Sequence, residues 1–336
     1  MEFASFVSLS KQRVSRQASS ASALPRTTPL IPLVPRRMLG APRLMLFAFL
    51  QTSSPRSSSI VSRTLRHMSG RIVPKGEALG FKQLFDEDSS TYTYLLWDTA
   101  SKDAIIVDPV DIQVDRDIAA VKELGLNLVY GGTYETTRRR GSSNRTFLVL
   151  IYYVTVNTHA HADHITGTYL LKQKLPGVKS VISEASGAVA DVKIQPGDKI
   201  SFGSRSVEAR ATPGHTAGCM SFVSDDQSMV LTGDALLIQG CGRTDFQGGS
   251  AETLYDSIHS QVFVLPRDTV VYPAHDYKGR TSSSIANEVD NNPRLGSAKT
   301  KDEFVDIMAN LNLAYPKKID VAVPANMRCG VPDVEQ

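Results

Sequence analysis

His159-Ala160-His161-Ala162-Asp163-His164 packs three imidazoles and a carboxylate into six residues. The whole chain of 336 residues holds 7 histidines, so this one window carries nearly half of them. At such a composition, an H-x-H-x-[DE]-H string arises by chance in roughly a few of every ten thousand chains. Imidazole and carboxylate are the ligands that hold zinc, iron or manganese in catalytic sites. The stretch therefore points to a chain that binds a metal and works through it.

Three further clusters lie downstream, each a strand that ends in a tight turn and projects one ligand type. Ala211-Thr212-Pro213-Gly214-His215-Thr216 presents His215, Leu231-Thr232-Gly233-Asp234 presents Asp234, and Val270-Val271-Tyr272-Pro273-Ala274-His275 presents His275. A single His or Asp in such a place is more often a turn-capping residue than a ligand. Three of them in this order, after the histidine-rich hexapeptide, read together as a metal centre. Counting ligands alone leaves two arrangements open, one metal or two.

Around these clusters the chain alternates runs of strands with helices. Thr91–Trp97, Ala104–Val107, Ser180–Ser183, Lys199–Phe202, Ser206–Ala211, Met220–Val223, Met229–Leu231 and Thr269–Tyr272 read as strands, with a short one from Leu126 to Tyr130. Asp117–Leu124, Ile165–Lys174 and Thr253–Phe263 have helical spacing. No internal repeat is visible. The pattern predicts two packed sheets covered by helices, a four-layer α/β arrangement.

The net charge of +3 misleads, because residues 1–69 carry ten Lys or Arg against the single acid Glu2. The remainder is acidic by about six charges, which removes any argument for nucleic acid as a partner. The leader, rich in Arg and Ser and nearly free of acids, reads as an organellar transit peptide cleaved near Met68-Ser69-Gly70. Met45–Leu50 and Phe147–Val156 are too short to span a bilayer, so a soluble chain with no membrane association is expected. Cys219, Cys241 and Cys329 form an odd set without C-x-x-C spacing, which fits a reducing compartment.

From about Phe81 to the C-terminus the motif order resembles the metallo-β-lactamase superfamily. Residues Gly233 to Gln247, with Gly240-Cys241-Gly242-Arg243-Thr244-Asp245 at their centre, resemble its persulfide dioxygenase branch. Pro273-Ala274-His275-Asp276-Tyr277, Asn292-Pro293-Arg294-Leu295 and Val323-Pro324-Ala325-Asn326-Met327 agree with that branch. The resemblance implies an αββα sandwich over residues 70–336 and one Fe(2+) per subunit held by His159, His215 and Asp234. It overrides the two-metal reading, and leaves His161, Asp163, His164 and His275 to orient ligands and handle protons. It further implies a mitochondrial matrix enzyme, a homodimer, that oxidises glutathione persulfide with O2 and water to sulfite and glutathione.

A 2-His-1-carboxylate set leaves adjacent positions open on iron, as a sulfur substrate and O2 together require. The two glutathione carboxylates call for cations, and Arg243 and Arg294 are the candidates because guanidinium pairs bidentately with carboxylate. Tyr277 is placed to donate its hydroxyl to substrate, and Met308 to line the pocket. No catalytic nucleophile is expected; Cys219 lacks a Cys–His–Asn/Asp setting and reads as a small buried thiol.

Two alternatives stand beside this reading. One is a dinuclear hydroxyacylglutathione hydrolase of the glyoxalase II type, which shares the glutathione moiety. Such hydrolases follow the sandwich with a larger helical domain, whereas 61 residues follow His275 here. The other is a metal-binding but inactive isoform, motivated by an insert at about 131–153 that the family lacks. That insert has two expected outcomes: a hairpin or loop extruded ahead of Val154–Val156, or competition of Phe147–Val156 for the strand slot, where a one-residue slip turns every side chain over. Lower stability or activity than a form without it is the expectation.

Overall fold

The computed structural model describes residues 79–128, 130–134 and 148–332. The proposed leader, its cleavage site and Arg138-Arg139-Arg140-Gly141-Ser142-Ser143 lie outside the described residues. The first sheet runs in the order β1 (Leu79–Asp86), β2 (Thr91–Asp98), β3 (Asp103–Val107), β6 (Leu148–Val156), β7 (Val178–Ser183) and β8 (Val192–Ile194). Within it β4 (Asn127–Leu128) pairs with β3, and β5 (Tyr130–Tyr134) with β6. The second sheet runs from β9 (Lys199–Phe202) through β10 (Arg205–Ala211), β11 (Met220–Ser224), β12 (Met229–Gly233) and β13 (Val270–Pro273) to β14 (Ser283–Ser284).

Alternation along the strands decides what each face meets. Tyr92, Tyr94 and Leu96 of β2 and Ile105 and Val107 of β3 point inward. There they pack with Phe202, Val207, Phe222, Leu231 and Tyr272 of the second sheet in one buried cluster. The opposite faces are covered by helices. Leu95, Ala104 and Ile106 meet α1 (Val114–Glu123) and α2 (Thr168–Lys174). Val223, Val230 and Val271 meet α3 (Ala251–Ser257), α4 (Ile285–Asn291) and α5 (Lys301–Ala309). Helix, sheet, sheet, helix is the four-layer sandwich expected.

Most elements sit where periodicity placed them, with the ends moved by a few residues. The helix expected from Ile165 begins at Thr168, because Ile165 and Thr166 leave the helical path to bond Asp111 and Asn326. The helix expected over Thr253–Phe263 is α3 followed by a π-helical turn, Ile258–Val262. The elements that escaped the sequence reading include β1, β8, β14, α4, α5 and α6 (Ile319–Asn326), which contains Pro324. Proline inside a helix is a signal against one.

The insert takes the first of its two expected forms. β5 and β6 pair as an antiparallel hairpin from Tyr130↔Tyr152 to Tyr134↔Leu148. Beyond it, β6 enters the sheet between parallel neighbours, with Val156 opposite both Val107 and Val181. Val154 and Val156 are buried between the sheets, while Thr155 faces α2 and meets the Thr168 hydroxyl at 3.1 Å. Strand slippage is thus absent over Val154–Val156, which is what delivers His159 to the rim.

Candidate metal centre

Every ligand-bearing turn leaves a strand at the same rim of the sandwich: His159 after β6, His215 after β10, Asp234 after β12 and His275 after β13. Backbone bonds tie the two sheets together there. Met220 N donates to Thr158 O (2.9 Å) and Tyr92 N to Ala274 O (2.7 Å), while Ala274 N, bonded to Gly233 O (3.0 Å), joins the ends of β13 and β12 within the second sheet. The side chains therefore hang from a cross-linked frame rather than from free loops.

His159, His215 and Asp234 bring their ligand atoms within 4.8 Å of one another, all three buried. His215 Nε2 stands 3.5 Å and His159 Nε2 4.0 Å from Asp234 Oδ2. The far nitrogen of each ring is tied outward. Asp108 Oδ2 accepts the Thr158 hydroxyl (2.8 Å), so the Thr158 oxygen accepts from His159 Nδ1 (2.9 Å). His215 Nδ1 donates to the Arg243 carbonyl (2.6 Å). Both rings thus hold their proton on Nδ1 and turn an Nε2 lone pair to the centre, the tautomer that binds a metal. His159 Nε2 and Asp234 Oδ1 are buried without any hydrogen-bond partner among the described residues. Orphaned acceptors are costly unless something satisfies them, and a cation does so for this whole set.

His161, Asp163 and His164 form a second group whose ligand atoms also lie within 4.8 Å. Its His161 Nδ1 and His164 Nε2, like Nε2 of His275, are also buried without a hydrogen-bond partner among the described residues. His164 Nδ1 bonds Asp163 Oδ2 (2.9 Å), and His161 Nε2 bonds Asp108 Oδ1 (3.1 Å). His275 lies between the groups, its Nε2 3.4 Å from Asp163 Oδ2 and 3.6 Å from Asp234 Oδ1. Burial works against a charge on His275, but those two carboxylates outweigh it and raise its pKa to about 9. On Asp163, burial is outweighed in turn by His275 and His164, which hold the carboxyl well below its usual range. Burial lowers His159 well below the usual imidazole range, so it is neutral.

Asp108 and Thr91 were missed as site residues. Asp108 directly follows β3 and has a φ of 50°; its carboxylate lies under the hexapeptide, where it holds Thr158 twice and His161 once. The signal available in the sequence is an Asp-Pro pair directly after an apolar strand, Asp being among the residues that tolerate a positive φ. Thr91 Oγ1 lies 3.3–3.4 Å from Asp163, His164 and His275, and no local pattern could have found it. Asn326 is a third such residue: its amide donates to the carbonyls of His161 and His164 (2.8 Å each) and its Oδ1 accepts from Thr166 N.

A cavity of about 690 Å³ opens onto the centre, lined by Asp163, His215, Asp234 and His275 and, further out, by Arg243, Tyr277 and Arg294. Tyr277 is 71% exposed and stacks on His275, centroids 6.0 Å apart. Arg294 donates to the Cys241 carbonyl (3.2 Å) and has no acidic partner among the described residues. Arg243 already has one, since Nε and Nη2 both bond Asp245 (2.6 and 2.7 Å). Met308 is not on this wall. It is buried in the helical core beside Leu254 and Phe304, where the Cys241 thiol meets its sulfur at 3.6 Å, a placement that gives it packing rather than a substrate contact. Cys219 is buried and its thiol is pushed up to about 12 by burial, in line with a structural role.

The family model for the metallo-β-lactamase superfamily matches residues 154–275. The chain is 50% identical to the mitochondrial persulfide dioxygenase ETHE1 of Mus musculus over 79% of its own length and 95% of that protein. It is 49% identical to the Homo sapiens protein of the same name, over 81% and 96%. Among solved structures, ETHE1 from Myxococcus xanthus superposes with a TM-score of 0.65 at 45% identity, covering 74% of this chain and 99% of that one.

Proposed function

The chain belongs to the metallo-β-lactamase superfamily and, within it, to the persulfide dioxygenase family, and we propose that it oxidises glutathione persulfide with O2 and water to sulfite and glutathione on a single Fe(2+). The observation that carries this is the tautomer pattern: the two rings that flank Asp234 both have Nδ1 tied off and Nε2 free. His159, His215 and Asp234 would hold the ion. Ferrous iron, when bound, supplies the one-electron chemistry toward O2 that side chains lack.

The remaining residues position and protect. Asp108 and the Arg243 carbonyl keep His159 and His215 in one tautomer and one orientation. His275 stands between Asp163 and Asp234, where it would orient that carboxylate pair and handle protons, and Thr91 steadies His275 and Asp163. Arg294 offers donors to a substrate carboxylate, and Tyr277 stands at the mouth with its hydroxyl. Homology to dioxygenases over most of the chain sets the glyoxalase II type behind it.

Relatives of this chain are named mitochondrial; residues 1–69 as transit peptide, residues 70–336 as the matrix catalytic domain and a homodimeric assembly complete the proposal. No helix among the described residues is long and apolar enough to cross a membrane. Metal analysis of anaerobically purified protein, with an oxygen electrode, tests the reading. One iron per chain and oxygen uptake on adding glutathione persulfide are expected. Two zinc ions per chain, with hydrolysis of S-lactoylglutathione and no oxygen uptake, would overturn it.

A further inference from the structure

Six cationic side chains line the cavity, and they divide sharply by partner. Arg243 is bidentate to Asp245, Arg280 donates twice to Asp276 Oδ1, and Arg294 leans on the Cys241 carbonyl. Lys278, Lys317 and Lys318 are exposed, and their ammonium groups have no hydrogen bond or ion pair among the described residues. Lys317 and Lys318 sit on residues 310–318, an irregular segment between α5 and α6 that forms part of the cavity wall from Leu313 to Lys318. This wall is fixed just ahead of the lysines. Arg243 Nη1 donates to the Ala314 carbonyl (2.7 Å), the Phe246 ring meets Tyr315 edge-on at 5.5 Å, and the Tyr315 hydroxyl donates to Asp320 (2.7 Å).

We infer that Lys317 and Lys318, with Lys278, form a subsite that receives a carboxylate of the substrate's glutathionyl tail besides the one left to Arg294, and so set specificity for charged over uncharged persulfides. This rests on the proposed function for the identity of the substrate. The chemistry is that of partly solvated ion pairs: an anionic tail gains from each unpaired ammonium, and the gain is screened by salt. A pinned segment loses little freedom when the tail docks, which favours recognition there over recognition by a free loop.

The test compares wild type with a Lys317→Met/Lys318→Met double variant and with Lys278→Met; Lys193→Met, far along the chain on β8, serves as the control for lost charge. For glutathione persulfide, kcat/KM should fall about 3- to 10-fold in the double variant, mainly through KM, as loss of one or two exposed ion pairs implies. Preference for the free acid over its diester should shrink toward one, and the salt dependence of KM should flatten. Equal losses on acid and diester, or no loss beyond that of the control, would overturn the inference. Affinity for reduced glutathione, measured by calorimetry, separates the two readings. If wild type consumes no oxygen, the proposed function fails, yet weaker glutathione binding by the lysine variants would still uphold the subsite. Equal binding by all variants, or none by wild type, would sink it.

Discussion

Asp108 grips Thr158 twice, Oδ1 accepting the backbone N–H at 2.7 Å and Oδ2 the hydroxyl at 2.8 Å. Fifty residues apart in sequence, the two make one device. The carboxylate settles the direction of the Thr158 hydroxyl, and that hydroxyl settles which nitrogen of His159 faces the centre.

Asp108→Asn should therefore weaken metal binding without unfolding the chain. Asn tolerates positive φ as Asp does, so the backbone survives while the acceptor that orders the hydroxyl becomes ambiguous. Outer partners of metal ligands are worth about 10- to 100-fold in affinity. Titration of iron into the anaerobic apoprotein should show a loss in that range, with the melting temperature of the apoprotein little changed. Full affinity would mean that Asp108 merely fills space.

Gly242 is required by approach rather than by its own backbone angles. A Cβ there would lie 2.5 Å from the Asp234 carbonyl and 2.8 Å from His215 Nδ1. Gly242→Ala must then push His215 or the Asp234 turn aside, displacing two of the three ligands at once. Metal content after purification should drop at least about tenfold, the scale on which misplaced ligand shells cost affinity. An alanine variant that retained one iron per chain would refute this.

Asp117 is fully buried in α1, with Oδ1 bound by Arg116 (3.0 and 2.8 Å) and Oδ2 without a partner. Burial, only partly offset by Arg116, raises its pKa from 3.8 to about 6. A carboxyl whose folded pKa lies above its unfolded one adds stability that is complete below pH 4 and lost as pH rises through 6. Asp117→Asn should remove that dependence and raise stability at pH 7.5 by about 1 kcal/mol. Urea melts at pH 5 and 7.5 read it directly; a variant with the same pH slope as wild type counts against the assignment.

The β5–β6 hairpin stands ahead of the residues that lock into the sheet. Deleting 131–153, so that Tyr130 leads into Val154, should keep iron content and turnover within about twofold, since Val154–Val156 retain their partners on β3 and β7. The run Phe147–Tyr153 has high β-propensity and no charge, so its removal should raise the temperature at which heated protein scatters light. Loss of iron on deletion would show that the hairpin supports the strand.

Much of the ligand set was legible because strand and turn chemistry are local. Valine and threonine before Asn157, Pro213-Gly214 before His215 and Thr232-Gly233 before Asp234 announce a strand and then a corner. Gly214, at φ 131°, also packs where a Cβ would strike Leu254, so that corner admits no other residue. The boundary of α2 and the existence of α6 were not legible, because tertiary partners outweigh propensity there: Thr166 is claimed by Asn326, and Pro324 is accommodated inside a packed helix.

Local order along the chain thus determined which side chains could become ligands, since each sits where a strand must end. Tertiary structure alone decided their division of labour. Asp108, Thr91, Asn326 and the Arg243 carbonyl reach the centre from distant elements, and they set which imidazole nitrogen is free, which carboxylate is engaged and which cation remains unpaired. Hydrogen-bond partners at such separations are fixed by how two sheets cross at a rim, a relation with no counterpart in the spacing of residues.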